Sequence, residues 1–176
     1  MPYRRVMTNT PTYQAPLRIA GASKRETRTQ FAALCYRVVK ARKKSKSSKA
    51  GRRDRVEVLL VSSRDTGRWI IPKGWPMDGM TPAAAAAQEA WEEAGVRGKT
   101  NGQCIGLYAY DKWLDEELSL PCIVAVFPVA VQKLDDEYPE SEERKRKWLT
   151  PEKASHKVDE PELKAIIRSF DPARLY

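Results

Sequence analysis

A chain of 176 residues can bury one sizeable core but is short for two, and 41% hydrophobic with 31% charged residues fits a single globular domain with polar extensions. The 32 Lys and Arg against 23 Asp and Glu give a net charge of +9, which favours polyanionic partners such as nucleic acid, an anionic membrane surface or a small phosphate-rich ligand. Cys35, Cys104 and Cys122 lack CxxC spacing and argue against a disulfide framework or zinc site; with no apolar run of bilayer length, a reduced, cytoplasmic protein without a membrane partner is predicted.

Residues 1–27 read as a flexible tail; an organellar transit peptide is the alternative for this basic, acid-poor stretch. Phe31 to Val39 and Val56 to Val61 are short, apolar and partly β-branched, as buried strands are. Between them, residues 40–55 hold nine basic residues and one acid, Asp54, a composition that cannot bury itself and predicts a mobile hairpin loop. Its excess of eight positive charges nearly equals that of the whole chain, so any nucleic-acid partner would rest on this one segment.

Trp69 to Pro72 predicts a short strand running into Lys73-Gly74. A helix follows, with Thr81 as N-cap, Pro82 at its first position, an alanine run, and Gly95 as the stop. Cys104 to Tyr110, Pro121 to Val131 and Lys145 to Leu149 predict strands, the first two joined by an acidic connection holding Asp115, Glu116 and Glu117. A terminal helix is expected after a capping box of Asp159 and Glu162, with Leu163, Ile166, Ile167 and Phe170 on its apolar face. The folded domain is thus expected over residues 28–171, with a tail at 172–176. Trp69 and Trp148 are expected in the core, Trp91 against the sheet, and Trp75 and Trp113 in loops.

Glu89, Glu92 and Glu93 stand at i, i+3 and i+4, which places three carboxylates on one helix face within a turn. An isolated ExxEE is ordinarily a solvated acidic face. Here, however, the acids crowd the helix C-terminus, where the macrodipole favours cations. A divalent ion would relieve both the repulsion and the misplacement, and oxygen-only donors point to Mg²⁺, with Mn²⁺ possible, rather than zinc.

The wider pattern, Gly74 followed by Glu89-Ala-Trp-Glu92-Glu93-Ala-Gly95-Val96, resembles the Nudix box: G, five residues, E, seven residues, R-E, an apolar residue, any residue, E-E, any residue, G, and an apolar residue. Six fixed positions agree across 23 residues. Met80 replaces the first glutamate and Gln88 the arginine. In the family that arginine orients the catalytic glutamate; its loss implies weaker pre-organisation of Glu89, since Gln88 can donate a hydrogen bond but has no charged fork. The resemblance implies the α/β Nudix fold, a mixed β-sheet sandwiched between helices (α/β/α), with Gly74, Glu89, Glu92 and Glu93 as metal ligands.

Similarity continues through Leu34 to Arg37, Glu57 to Arg64, RWIIPKG, EEAGV, Arg144 to Trp148 and the pair His156-Lys157, all of which resemble the diphosphoinositol polyphosphate phosphohydrolase branch. This branch cleaves inositol pyrophosphates and dinucleoside polyphosphates. Position by position it implies phosphate contacts from Arg28, Ser63, Lys73, Arg144 and Lys157, with Arg146 and His156 beside them; His156 reads equally as a helix-end cap. The implied reaction is metal-assisted hydrolysis of a phosphoanhydride in a small polyanionic substrate, with Glu92 or Glu93 as base and Glu116 or Glu117 as the outside option. Two further readings are an RNA 5′-pyrophosphohydrolase guided by the basic loop and a Nudix-fold binding module with little turnover. No surface stripe specifies an oligomeric state.

Overall fold

The computed structural model describes residues 27–41, 54–113 and 119–175. Most of the basic 40–55 segment, the acidic connection with Glu116 and Glu117, and the N-terminal tail therefore lie outside the described residues. Among the described residues eight strands form one sheet: β1 (Arg28–Val39), β2 (Arg55–Ser62), β3 (Trp69–Ile70), β4 (Lys73–Gly74), β5 (Val96–Thr100), β6 (Gly106–Trp113), β7 (Ser119–Leu134) and β8 (Arg146–Leu149). The helices are α1 (Pro82–Ala94), α2 (Pro151–Ser155) and α3 (Pro161–Ser169), followed by a 3₁₀ turn at Pro172–Arg174. The sheet runs β3-β2-β1-β7-β5, with β4 beside β1, β6 beside β7 and β8 beside β2. Only β1 and β7 pair in parallel among the described residues, so the sheet is mixed.

The apolar runs of β1, β2 and β7 are continuous because both faces of the sheet are covered. Successive side chains point to opposite faces, so Ala32, Leu34, Val58, Leu60, Val124 and Val126 enter one core with Ala154, Val158, Leu163 and Ile167 from the α2–α3 side. Ala33, Cys35, Leu59, Val61, Phe127 and Val129 enter the other with Ala83, Ala86, Ala90 and Ala94 of α1. The sheet between helices that the resemblance implies is what is observed. Among the described residues no helix is long and apolar enough to cross a membrane.

Helix α1 has the predicted ends. The Thr81 side chain accepts from Ala84 N at 3.3 Å, and Gly95 takes the left-handed conformation at φ 64° while its N–H donates to Trp91 O at 2.8 Å. A side chain at Gly95 would also stand 2.6 Å from the Asp135 carbonyl, so two constraints demand glycine there. The buried alanines bring the helix close to the sheet, which turns its carboxylate face toward β4.

Several expectations are corrected. The predicted Trp69–Pro72 strand divides into β3 and β4, and Trp113 ends β6 instead of lying in a loop. β5 and α2 were not foreseen: β5 is a short polar strand at the sheet edge, while the Thr150-Pro151 start of α2 repeats the Thr81-Pro82 signal of α1. The Asp159–Glu162 capping box does not form. α3 does start at Pro161, which suits the first helical position, but Glu160 and not Asp159 takes the cap position and no side-chain cap bond forms. Glu160 instead receives Arg68 Nη1 at 2.7 Å, with Asp159 3.5 Å from the same atom. A charge-assisted contact to a guanidinium outcompetes a backbone amide for these carboxylates. Trp69 and Trp148 pack against the two cores as expected, and Trp91 meets the sheet at its edge strand β5, with the Arg97 guanidinium 4.8 Å from its ring.

Candidate active site

The site is built where the end of α1 meets β4. Strand β4 is held to β1 by the Phe31–Gly74 and Ala32–Lys73 pairs and by Ala33 N donating to Pro72 O at 2.9 Å. Gly74 is buried, and a Cβ there would overlap the Glu89 carboxylate, so only glycine lets this acid lie against the strand. Glu93 is 5% exposed and accepts from Lys73 N at 3.3 Å. Glu92 accepts from Gln88 Nε2 at 2.7 Å. The structure therefore brings Gly74, Glu89, Glu93 and Lys73 together as the sequence predicts, with Glu92 one turn along.

Sequence reasoning missed the contribution of residues 135–146. Glu140 N donates to Glu92 O at 3.0 Å, Asp135 N to Gly95 O at 2.7 Å, and Arg146 Nη1 to Ala94 O at 3.0 Å, so the β7–β8 connection satisfies carbonyls that the end of α1 would leave open. Glu140 adds a fourth carboxylate. Burial pushes the Glu89 carboxyl up to about 7, aided by the charges of Glu92 and Glu140. Burial likewise raises Glu93 to about 7, although the cations of Arg144 and Lys73 oppose it and Glu89 and Glu140 add to it. No residue-type signal marked Glu140, which sits in an acidic run that reads as solvent-facing.

Arg144, expected to meet substrate phosphate, occupies a different place. Its side chain is buried, with Nη2 on Glu93 Oε1 at 2.7 Å, Nη1 on Ser62 O at 2.9 Å, and Nε on the Glu140 carboxylate. Part of the compensation assigned to a metal is thus supplied by a protein cation. Among the described residues no three carboxylate, histidine or cysteine side chains close to ligating distance. The donor chemistry nonetheless fits a hard divalent ion: all-oxygen donors, crowded enough to raise one another's proton affinity, around Gly74.

On the other side of Lys73 lies a cleft of about 410 Å³ lined by Ser63, Arg68, Lys73, Tyr110, Lys112 and Trp113, among others. Its size suits a small ligand. Burial, reinforced by the charges of Arg68, Lys112 and Arg144, lowers the Lys73 ammonium below its usual range even though Glu93 opposes this. Lys73 Nζ stands 5.0 Å and the Arg68 guanidinium 5.9 Å from the Tyr110 ring, while Lys112 lies 4.9 Å over Trp75. Tyr110 is fixed by its hydroxyl, 2.6 Å from Gln30 Oε1. Ser63 is part of a tight turn, with its hydroxyl 2.8 Å from Thr66 Oγ1. Arg28 at the start of β1 and Lys157 beyond α2 are exposed and are not among the residues lining this cleft; His156 is the exposed C-cap of α2. A larger hollow of about 830 Å³, with Lys40, Arg55, Arg168 and Phe170 on its walls, opens elsewhere and contains none of the box residues.

The NUDIX domain model matches residues 50–170. The chain is 32% identical over 122 residues to "Nudix hydrolase 12, mitochondrial" of Arabidopsis thaliana, covering 68% of this chain and 60% of that protein. It is 37% identical over 101 residues to diphosphoinositol polyphosphate phosphohydrolase 3-alpha of Mus musculus, covering 56% of this chain and 57% of that protein. These matches span about three fifths of the relatives' length. Among solved structures, a C. elegans Ap4A hydrolase binary complex superposes with a TM-score of 0.56 at 22% identity, over 80% of this chain and 92% of that one. A NUDIX hydrolase from Nitrosomonas europaea gives 0.58 at 16% identity, over 86% and 93%. With the box residues gathered at the end of α1 and the domain match extending over more than half its length, the chain belongs to the Nudix family.

Proposed function

We propose that this protein hydrolyses a phosphoanhydride bond in a small polyphosphorylated substrate of the diphosphoinositol polyphosphate or dinucleoside polyphosphate class, with Mg²⁺ as its ion. The observation that carries the reading is the position of Lys73: its backbone meets the carboxylate cluster, and its side chain enters a cleft with Arg68 and Lys112. A polyanion lying in that cleft presents one of its anhydride linkages to Glu89, Glu92 and Glu93.

A divalent ion supplies charge neutralisation and polarisation of water and phosphoryl oxygens. Lys73, Arg68 and Lys112 hold and orient the phosphates, since charge-assisted contacts are strong and directional. Water attacks phosphorus, the bond from phosphorus to the bridging oxygen breaks, and the leaving phosphate departs with that bond's electron pair. The proton released from water passes to Glu89. Among the described residues this box carboxylate has neither a hydrogen bond nor an ion pair, whereas Glu92 and Glu93, the bases expected from the sequence, are engaged by Gln88 and Arg144. The exposed Trp113 offers an aromatic surface at the cleft edge, which favours a nucleobase-bearing substrate.

Mononucleotide release from diadenosine tetraphosphate and phosphate release from a diphosphoinositol polyphosphate, each with and without Mg²⁺, test the reading. Mg²⁺-dependent release by the native chain, abolished in Glu93→Gln, is expected; equal release by both proteins, or none by either, would overturn it.

A further inference from the structure

Gln88, at the arginine position of the box, donates to Glu92, and among the described residues the side-chain donor that holds Glu93 is Arg144 instead. Arg144 lies 51 positions away along the chain. The Arg144 side chain is only 5% exposed, and its three donor groups are committed to Glu93, Ser62 O and Glu140. The anchors on either side are themselves fixed. Ser62 ends β2 and exchanges two bonds with Lys145, its N–H donating to Lys145 O at 3.0 Å and its hydroxyl accepting from Lys145 N at 2.9 Å. Glu140 is tied through its amide to the backbone of Glu92.

A buried ion pair is a weak source of stability, because desolvation offsets much of its attraction. A planar guanidinium gripped at three points does fix the direction of the carboxylate it holds. We infer that Arg144 is the positioning residue of this site, setting the Glu93 carboxylate against strand β4 from the β7–β8 connection in place of an arginine within the helix. The inference rests on the hydrolase reading for its catalytic consequence, but the Arg144–Glu93 coupling can be measured without turnover. It also distinguishes Arg144 from Lys73, whose ammonium opens into the cleft where phosphate would lie.

The experiment is a double-mutant cycle of Arg144→Gln and Glu93→Gln, with Arg144→Lys alongside, in the full chain. It reads kcat and KM on diadenosine tetraphosphate and Mn²⁺ affinity by electron paramagnetic resonance. Arg144→Gln is expected to lower kcat on the order of 100-fold with KM within about threefold, the scale of a misplaced catalytic group. Arg144→Lys should fall between, keeping the charge but losing the fork. In the Glu93→Gln background, where turnover is abolished, Arg144→Gln should change Mn²⁺ affinity no more than about twofold. A raised KM at constant kcat would make Arg144 a phosphate contact and overturn the inference, as would equal effects on Mn²⁺ affinity in both backgrounds. If Arg144→Gln does not fold, an unchanged kcat in Arg144→Lys would overturn it and a fall of about tenfold would support it. If the native chain turns over neither probe, the hydrolase reading fails. The inference then stands if Arg144→Gln changes Mn²⁺ affinity at least fivefold in the native background alone, and falls otherwise.

Discussion

Helix α1 and the β7–β8 connection meet at the same carboxylates yet are specified in opposite ways. α1 is written locally: cap, proline, alanine run and terminal glycine each favour the same thirteen-residue helix. The connection has no periodicity and forms neither helix nor strand over most of residues 135–145; its shape comes from bonds made to the end of α1 and to β2. One region therefore carries the reactive groups and the other orients them. A helix with three glutamates becomes a defined site only when a distant segment supplies Glu140, Arg144 and Arg146.

The comparison can be sharpened by perturbing each side in turn. The largest effect is expected on the helix itself: Glu89→Gln should lower kcat about 10²- to 10⁴-fold in the Mg²⁺-dependent phosphate-release assay, the range of a lost general base. At the junction, Gly95→Ala should cost about 2 kcal/mol in denaturant unfolding, because it strains a left-handed residue and presses on the Asp135 carbonyl.

Proton linkage gives a third test. Glu89 and Glu93 bind protons more tightly in the folded chain, near pH 7, than the ordinary carboxyl value of 4.5. Between these values the folded state holds more protons than the unfolded one, so their contribution falls as pH rises. The metal-free protein should lose thermal stability from this pair between about pH 5 and 8, and saturating Mg²⁺ should flatten that slope. A melting temperature that rises through this window without metal would contradict the packing of the two acids.

The smallest pair of effects separates a formed cap from an unformed one. Thr81→Ala should cost about 1 kcal/mol, as loss of a bonded N-cap does. Asp159→Ala should stay within about 0.5 kcal/mol, since Asp159 is exposed and makes only a 3.5 Å contact to Arg68. Equal costs would restore the capping box that the sequence suggests.

These contrasts also explain which parts were legible. The ends of α1 and the three long apolar strands follow from short-range signals and were read correctly, while the gathering of Gly74 with Glu89 and Glu93 was legible only through the resemblance to the Nudix box. β5 escaped because VRGKT has little apolar character and is strand only through pairing with β7. Arg144 was read as a phosphate contact, since nothing in RKRKW says which side chain turns inward toward Glu93. Arg68 and Lys112 join Lys73 at one cleft although β1 and β7 stand between β4 and β6 in the sheet, a proximity that spacing along the chain does not encode.

The central claim is that the carboxylates at the end of α1 hold a divalent ion beside Lys73. A crystal structure of the chain grown with Mn²⁺, read from the metal's anomalous signal, tests it most directly. The account predicts one or more ions bonded to oxygens of Glu89, Glu92 and Glu93. Carboxylates satisfied only by Arg144, Gln88 and the backbone, with no anomalous peak among them at saturating Mn²⁺, would contradict it.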